Sequence, residues 1–338
     1  MSPHYLRIFL LCFFVWSGQK PYLAESYSVP KTEWGQPDLQ GVWNFSSTVP
    51  MQRPSQFGNR RFLTQEEAKN GFLHFELGAG AGIVPPNGTG IESYYNDIRV
   101  DNSEVDGRVR TSHIIYPLNG QIPPLAKGIE RRPGGVVPAT GKRPVRFVVG
   151  GIGRDGPEDR GLSERCIVGF NQGPPFTPSL YNNHVQIFQN KDHVVIMTEM
   201  IHDARIVKFK DVPPLNASLV FWSGDSVGKW EEDTLVVTTQ NFNGLTQSFD
   251  GFGSSKNRLL IERFTRVGPH TINYEFIIDD PLTFTDSLTA VISMSKVSAQ
   301  LYEYACHEGN YGMENMLRAA RRREINSVSD TVAEIFRR

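Results

Sequence analysis

The chain has 338 residues, 39% hydrophobic and 21% charged, with a formal net charge of −1. That is ordinary globular composition, without the bias of a disordered chain or a charged tail. Near-neutrality also argues against nucleic acid or an anionic membrane as partner, because neither attracts an uncharged body over distance.

The first residues do not read as part of a fold. Arg7 precedes an apolar run from Ile8 to Trp16, and Ser17, Gly18 and Ala24 follow. The run has the length of a leader h-region and is too short to span a bilayer. A signal peptide over 1–24 is expected, cleaved after Ala24, giving a periplasmic or secreted protein with no stable membrane insertion. Cys12 leaves with the leader, so the mature chain keeps two cysteines, Cys166 and Cys306. In an oxidising compartment two cysteines allow one bridge, and a Cys166–Cys306 disulfide is predicted.

Residues 25–183 read as a wrap containing a strand, a helix and long loops. "QPDLQGVWNFSS" (36–47) is a turn leading into a first strand. "LTQEEAKNGFLHFE" (63–76) is a short helix, with Thr64 as cap and Glu66 and Glu67 near its positive end. Residues 77–110 are predicted as loop, and "TSHIIYP" (111–117) as a short strand. Glycines and prolines through 118–183 forbid long regular elements.

From 184 the character changes. "HVQIFQN", "HVVIMTEM", "ARIVKF", "LVFWSG", "KWEEDTLVVTTQNF", "NRLLIERFTRV", "TINYEFII", "SLTAVISMS" and "LYEYAC" are β-branched or aromatic, mostly alternating, and separated by turn residues. Strands in such succession imply an antiparallel meander, and a long twisted meander tends to close into a barrel. Trp222, Trp230, Phe264, Tyr274 and Phe276 are predicted as core. C-terminal helices follow, the first with Met313, Met316, Leu317 and Ala320 on one face, a later turn capped by Ser327. The expected fold is mainly β: a lipocalin-like barrel over 184–338 with C-terminal helices, forming one structural domain with 25–183.

Two resemblances bear on this. Gly41-x-Trp43 at the start of the first strand resembles the lipocalin signature, in which the Trp plugs the closed end of a barrel. "PDLQGVWN", "GPEDRGLSERC", "TEMIHDARI", "GDSVGKWEEDTLVV", "ERFTRV" and "YEYACHEGNYGMENMLRAAR" resemble a widespread family of exported bacterial proteins. That second resemblance implies a periplasmic or secreted setting and implies no activity.

Reactive side chains concentrate in three places. "GPEDRGLSERC" carries Glu158, Asp159, Arg160, Glu164 and Arg165. "EMIHDAR" carries Glu199, His202, Asp203 and Arg205. "YEYACHEG" carries Tyr304, His307 and Glu308. Carboxylate, imidazole and guanidinium together can do acid–base work or hold a substrate. His202, Asp203, Arg205, His307 and Glu308 are the candidate catalytic set, with Arg165, Glu199 and Tyr304 as binding residues. Each has a plainer role open to it: mutual satisfaction in a glycine-rich loop, a hairpin turn, or a helix cap. The chain has no H-E-x-x-H, no G-x-S-x-G elbow and no glycine loop ahead of a helix, so no metal or organic cofactor is expected. Two functions stay open. One is a binding protein holding a small apolar or amphipathic ligand in the barrel. The other is a cofactor-independent hydrolase, lyase or isomerase using the cluster at the barrel end. The first is preferred, because no motif here encodes a reaction.

Overall fold

The computed structural model describes residues 27–70, 104–105, 108–129, 146–147, 151–179, 181–209, 215–247, 252–253 and 255–335. The predicted leader and most of the predicted 77–110 loop lie outside them. The strands are β1 (Gly41–Asn44), β2 (Glu104–Val105), β3 (Arg108–Val109), β4 (Ile114–Tyr116), β5 (Arg146–Phe147), β6 (His184–Gln189), β7 (His193–Thr198), β8 (Ala204–Phe209), β9 (Asp225–Glu231), β10 (Thr234–Gln240), β11 (Thr246–Gln247), β12 (Leu259–Gly268), β13 (Thr271–Asp279) and β14 (Leu288–Val297). The helices are α1 (Gln65–Asn70) and α2 (Tyr311–Ile335).

Nine strands form a closed barrel in the order β1-β6-β7-β8-β9-β10-β12-β13-β14, with β14 returning to β1. The expected mainly β, barrel-forming chain is therefore the observed one. Neighbours run antiparallel except β8 and β9, where Lys208 pairs with Val227 in parallel. β1 is only four residues long, and β4 continues its side of β14, pairing with Thr289 and Ala290. β9–β10 and β12–β13 are tight hairpins, with Glu231 opposite Thr234 and Gly268 opposite Thr271. These are the predicted "EED" and "GPHT" turns.

Alternation puts one face of each strand inside. On β13, Ile272, Tyr274, Phe276 and Ile278 are fully buried. Phe264 and Tyr274 pack at 4.9 Å between ring centroids, and Phe176 and Phe45 extend the stack from outside the ring of strands. Trp43 is fully buried and donates its indole N–H to the Leu39 carbonyl at 2.8 Å. Arg266 lies 5.9 Å from the Trp43 ring and donates to the carbonyls of Asp38 and Pro269, each at 2.8 Å. The approach segment is thus tied to the β12–β13 hairpin. Gly41 has φ +130, a backbone conformation that glycine adopts without strain and side-chain-bearing residues rarely do.

Three local expectations are corrected. "LVFWSG" (219–224) is not a strand but part of the crossover between β8 and β9, with Leu219, Val220 and Phe221 exposed. "LYEYAC" (301–306) is not a strand either. It is a strap whose Tyr302 N–H reaches Glu199 rather than a ladder partner. The predicted C-terminal helices are one helix, inside which the Ser327 hydroxyl donates to the Glu324 carbonyl. Thr64 does cap α1: its hydroxyl accepts from Glu67 N–H at 3.2 Å while the Glu67 carboxylate accepts from Thr64 N–H at 2.8 Å, a reciprocal capping box.

Cys166 and Cys306 stand at disulfide distance, with Cα atoms 5.8 Å apart, inside the roughly 4.4–6.8 Å window of bridged pairs. The bond joins the 151–166 loop to the strap ahead of α2. Around it Asn310 donates to the Glu164 carbonyl at 2.7 Å, and Arg321 to those of Asp155 and Arg154 at 2.6 and 3.1 Å. Replacing both cysteines by serine frees a loop spanning 140 residues. In the chain-entropy account this should lower stability by about 4–5 kcal/mol, read as a fall in urea midpoint. An unchanged midpoint would show that the contacts around Asn310 and Arg321 suffice alone.

Candidate functional site

The three polar segments behave differently. "GPEDRGLSERC" closes on itself. Arg160 forks onto Glu164 at 2.9 and 3.0 Å, Arg165 pairs with Glu158 at 3.0 Å, and Asp159 accepts the Asp155 N–H at 3.1 Å. Arg165 is thereby engaged within its own loop. His307 and Glu308 sit in the turn after Cys306, both exposed. Tyr304 is half-buried in the strap, and burial raises its phenol above the usual value.

"EMIHDAR" is divided by a sharp turn. Ile201 and His202 both have positive φ, +62 and +44. A β-branched residue with left-handed backbone is an outlier that its surroundings must enforce. The turn points Glu199 and Arg205 to different neighbours and leaves His202 exposed.

Glu199 is buried and bonds His184 Nδ1 at 2.9 Å. His184 Nε2 meets the Asn44 amide at 3.1 Å, and the Asn44 oxygen is held by the Ser46 N–H and hydroxyl at 2.7 and 2.6 Å. The network holds the imidazole between the Glu199 carboxylate at Nδ1 and the Asn44 amide at Nε2. The second Glu199 oxygen accepts Tyr302 N–H at 3.3 Å. Burial alone would raise this carboxyl. The His184 bond and charge, with the Tyr302 N–H and Asn182, outweigh it, and the net direction is down.

Arg205 turns into the barrel. It forks onto Glu262, one bond being Nη2 to Oε1 at 2.9 Å, and Glu262 is fully buried. The Tyr274 hydroxyl donates to Glu262 Oε1 at 2.7 Å and accepts the Phe176 N–H at 3.2 Å. Burial pushes the Tyr274 phenol far up, and the Glu262 charge pushes it further, so it stays protonated and donating. Arg205 feels burial downward, but Glu262 more than offsets this and holds it cationic.

Above this network a small recess, about 10 Å³ in volume, opens at the end of the barrel where β7 turns into β8. Its walls include Phe176 and Ile196 on the apolar side, and Gln172, Asp203, Arg205 and Ser223 on the polar side. Gln172 is buried and donates its amide to the Asn182 carbonyl at 2.6 Å, but its Oε1 is buried without a partner. Of the predicted site residues, Asp203 and Arg205 share this recess. His202, His307, Glu308, Arg165, Glu199 and Tyr304 do not line it.

Sequence reading missed Glu262, Gln172 and His184. Glu262 had a signal: with Leu260 and Phe264 inside, period two puts a carboxylate inside as well. Among the described residues no group of three or more His, Cys, Asp or Glu is placed to hold a metal, and no helix is long and apolar enough to cross a membrane. The chain matches no protein-family model and no curated protein.

Two outcomes follow from these charges. Glu262→Gln should cost about 3–5 kcal/mol, because it leaves the Arg205 charge buried without its counterion. Adding Arg205→Met should recover most of that loss in urea denaturation. A double variant as unstable as the single one would mean that the charge itself is not what destabilises. For Glu199 the folded value lies below the ordinary 4.5, so its stabilisation is complete above that value and fades as pH falls through the folded one. The stability gap between wild type and Glu199→Gln should therefore stay constant at neutral pH and narrow below 4.5. A gap independent of pH would remove the carboxylate's charge from the explanation.

Proposed function

We propose that this is an exported small-molecule-binding protein, periplasmic or secreted, that holds an amphipathic ligand in the recess at the barrel end. The observation that carries the reading is the unpartnered Gln172 Oε1. A buried acceptor without a donor costs about 1–3 kcal/mol, which a bound N–H or O–H group recovers. Asp203 adds a second acceptor, and the Arg205 charge is largely spent on Glu262. Phe176 and Ile196 offer an apolar wall. The recess takes only a small donor head, so the ligand's short apolar body stays at its opening, against Phe176 and Ile196. The barrel interior holds a side-chain core that includes Phe264, Tyr274 and Phe276, so the ligand's place is at the mouth. The enzymatic alternative has less support, because only Asp203 and Arg205 of its five candidate residues line the recess. Export rests on the leader-like N-terminus and on the single cysteine pair at disulfide distance.

The test uses protein recovered from the periplasm, whose intact mass should lack residues 1–24. Titrating n-hexanol, n-hexylamine and hexanoate by NMR should shift Phe176, Ile196 and Thr198 saturably with the alcohol or amine. Gln172→Leu should weaken that binding about tenfold. Equal binding to Gln172→Leu, or saturable shifts confined to other residues, would defeat the reading.

A further inference from the structure

The hydrogen-bonding side chains around the recess at the barrel end have mostly spent their hydrogens. Gln172 is buried, and its Oε1 is an acceptor without a donor, while its amide serves the Asn182 carbonyl. The Ser223 hydroxyl gives its hydrogen to Asp203 Oδ2 at 3.4 Å. The Thr198 hydroxyl gives its hydrogen to the backbone carbonyls of Met200 and Asp203, each at 3.2 Å. What these side chains have left to offer is lone pairs and a carboxylate. Arg205 turns its fork onto Glu262.

The charges run the same way. Among the described residues of the lining, Arg205 is the only base and Asp203 the only acid. Glu262 lies in direct contact with Arg205 and acts on it more strongly than Asp203 does. One cation against two carboxylates leaves the recess net negative, with Asp203 the less compensated of the two. The free space is about 10 Å³, room for about one water-sized group. A hydroxyl has that size but a single hydrogen, and its own lone pairs would face the Gln172 and Asp203 oxygens. A carboxylate would bring like charge. An –NH3+ group has the size, three hydrogens, no lone pair and the opposite charge.

We propose that the head group held here is a primary ammonium, carried by a small amine whose short apolar body lies at the opening against Phe176. Its hydrogens go to Gln172 Oε1, the Asp203 carboxylate and the Ser223 oxygen. This rests on the recess being a ligand site, and narrows its ligand from any donor head to a cationic one.

NMR titration of the protein recovered from the periplasm with n-hexylamine, n-hexanol and N,N,N-trimethylhexylammonium tests this. Hexylamine should bind about tenfold more tightly than hexanol, because hydrogen bonds between charged groups are the stronger ones. The trimethyl analogue keeps the charge but has no N–H and a head too large for the recess. It should bind at least about tenfold more weakly than hexylamine. Asp203→Asn should bring hexylamine down to about the affinity of hexanol. Hexanol binding as tightly as hexylamine, with both shifting Phe176 and Ile196 saturably, would overturn the ammonium and leave a recess that binds any donor. A trimethyl analogue as tight as hexylamine, or an amine preference unchanged in Asp203→Asn, would also overturn it. No saturable shift with any of the three would defeat the recess as a ligand site, and the ammonium with it. If Asp203→Asn does not fold, the hexanol and trimethyl comparisons decide.

Discussion

A closed ring of nine strands cannot alternate direction all the way round, so at least one neighbouring pair must run parallel. In this barrel that pair is β8 and β9. A parallel pair cannot be joined by a tight turn, because the chain must return to the starting end before the next strand begins. The connection between β8 and β9, described over 215–224, makes that return. Its last residues arrive beside the segment after β10, where Phe221 bridges Phe242 and Asn241 holds the carbonyls of Asn216 and Leu219. Trp222 then packs beside Phe242, and Ser223 lines the recess at the barrel end. Strand parity thus requires a return loop here, and that loop contributes Ser223 to the wall of the recess at the barrel end.

Inside the barrel, β12 carries two charges on its core face, Glu262 and Arg266, and each is answered differently. Arg266 is satisfied by backbone carbonyls and an indole ring, so it fixes the chain's approach to β1. Glu262 is satisfied by a guanidinium and a phenol from strands far apart in sequence. Buried ion pairs of this kind add little net stability over a well-packed apolar core, because desolvation offsets most of the attraction. What the pair does is hold Arg205 in one orientation beneath the recess, with Asp203 two residues earlier at the rim.

Much of this was legible in the sequence, for local reasons. The strands β6, β7, β12 and β13 alternate cleanly, and two tight turns declare themselves by residue type. The cysteine pair follows from counting. What misled was strand-like residue type without a ladder. "LVFWSG" and "LYEYAC" are rich in aromatic and branched residues, yet Leu219, Val220 and Phe221 are exposed in a loop and the 301–306 strap has no ladder. Partners were the harder matter. His184 and Glu199 sit on either side of a hairpin, and Glu262 and Arg205 lie 57 positions apart. Period two says which side a residue faces, not which partner it meets there. The positive φ of Ile201, which separates Glu199 from Arg205, has no local signal, since isoleucine is not a residue that prefers it.

Barrel closure has a further consequence, in time rather than space. The ring is sealed by β1 against β14, with Val42 opposite Val297, and the cysteine pair is completed only at 306. A chain that emerges N-terminus first therefore displays Trp43 and its neighbours for about 250 residues of synthesis before the closing strand exists. Until then β1 has only β6 to pair with, and its other edge is open to any strand that passes. Non-local closure of this kind makes for slow folding. The four-residue length of β1 then gains a second meaning: a short edge offers little template for mispairing during the wait.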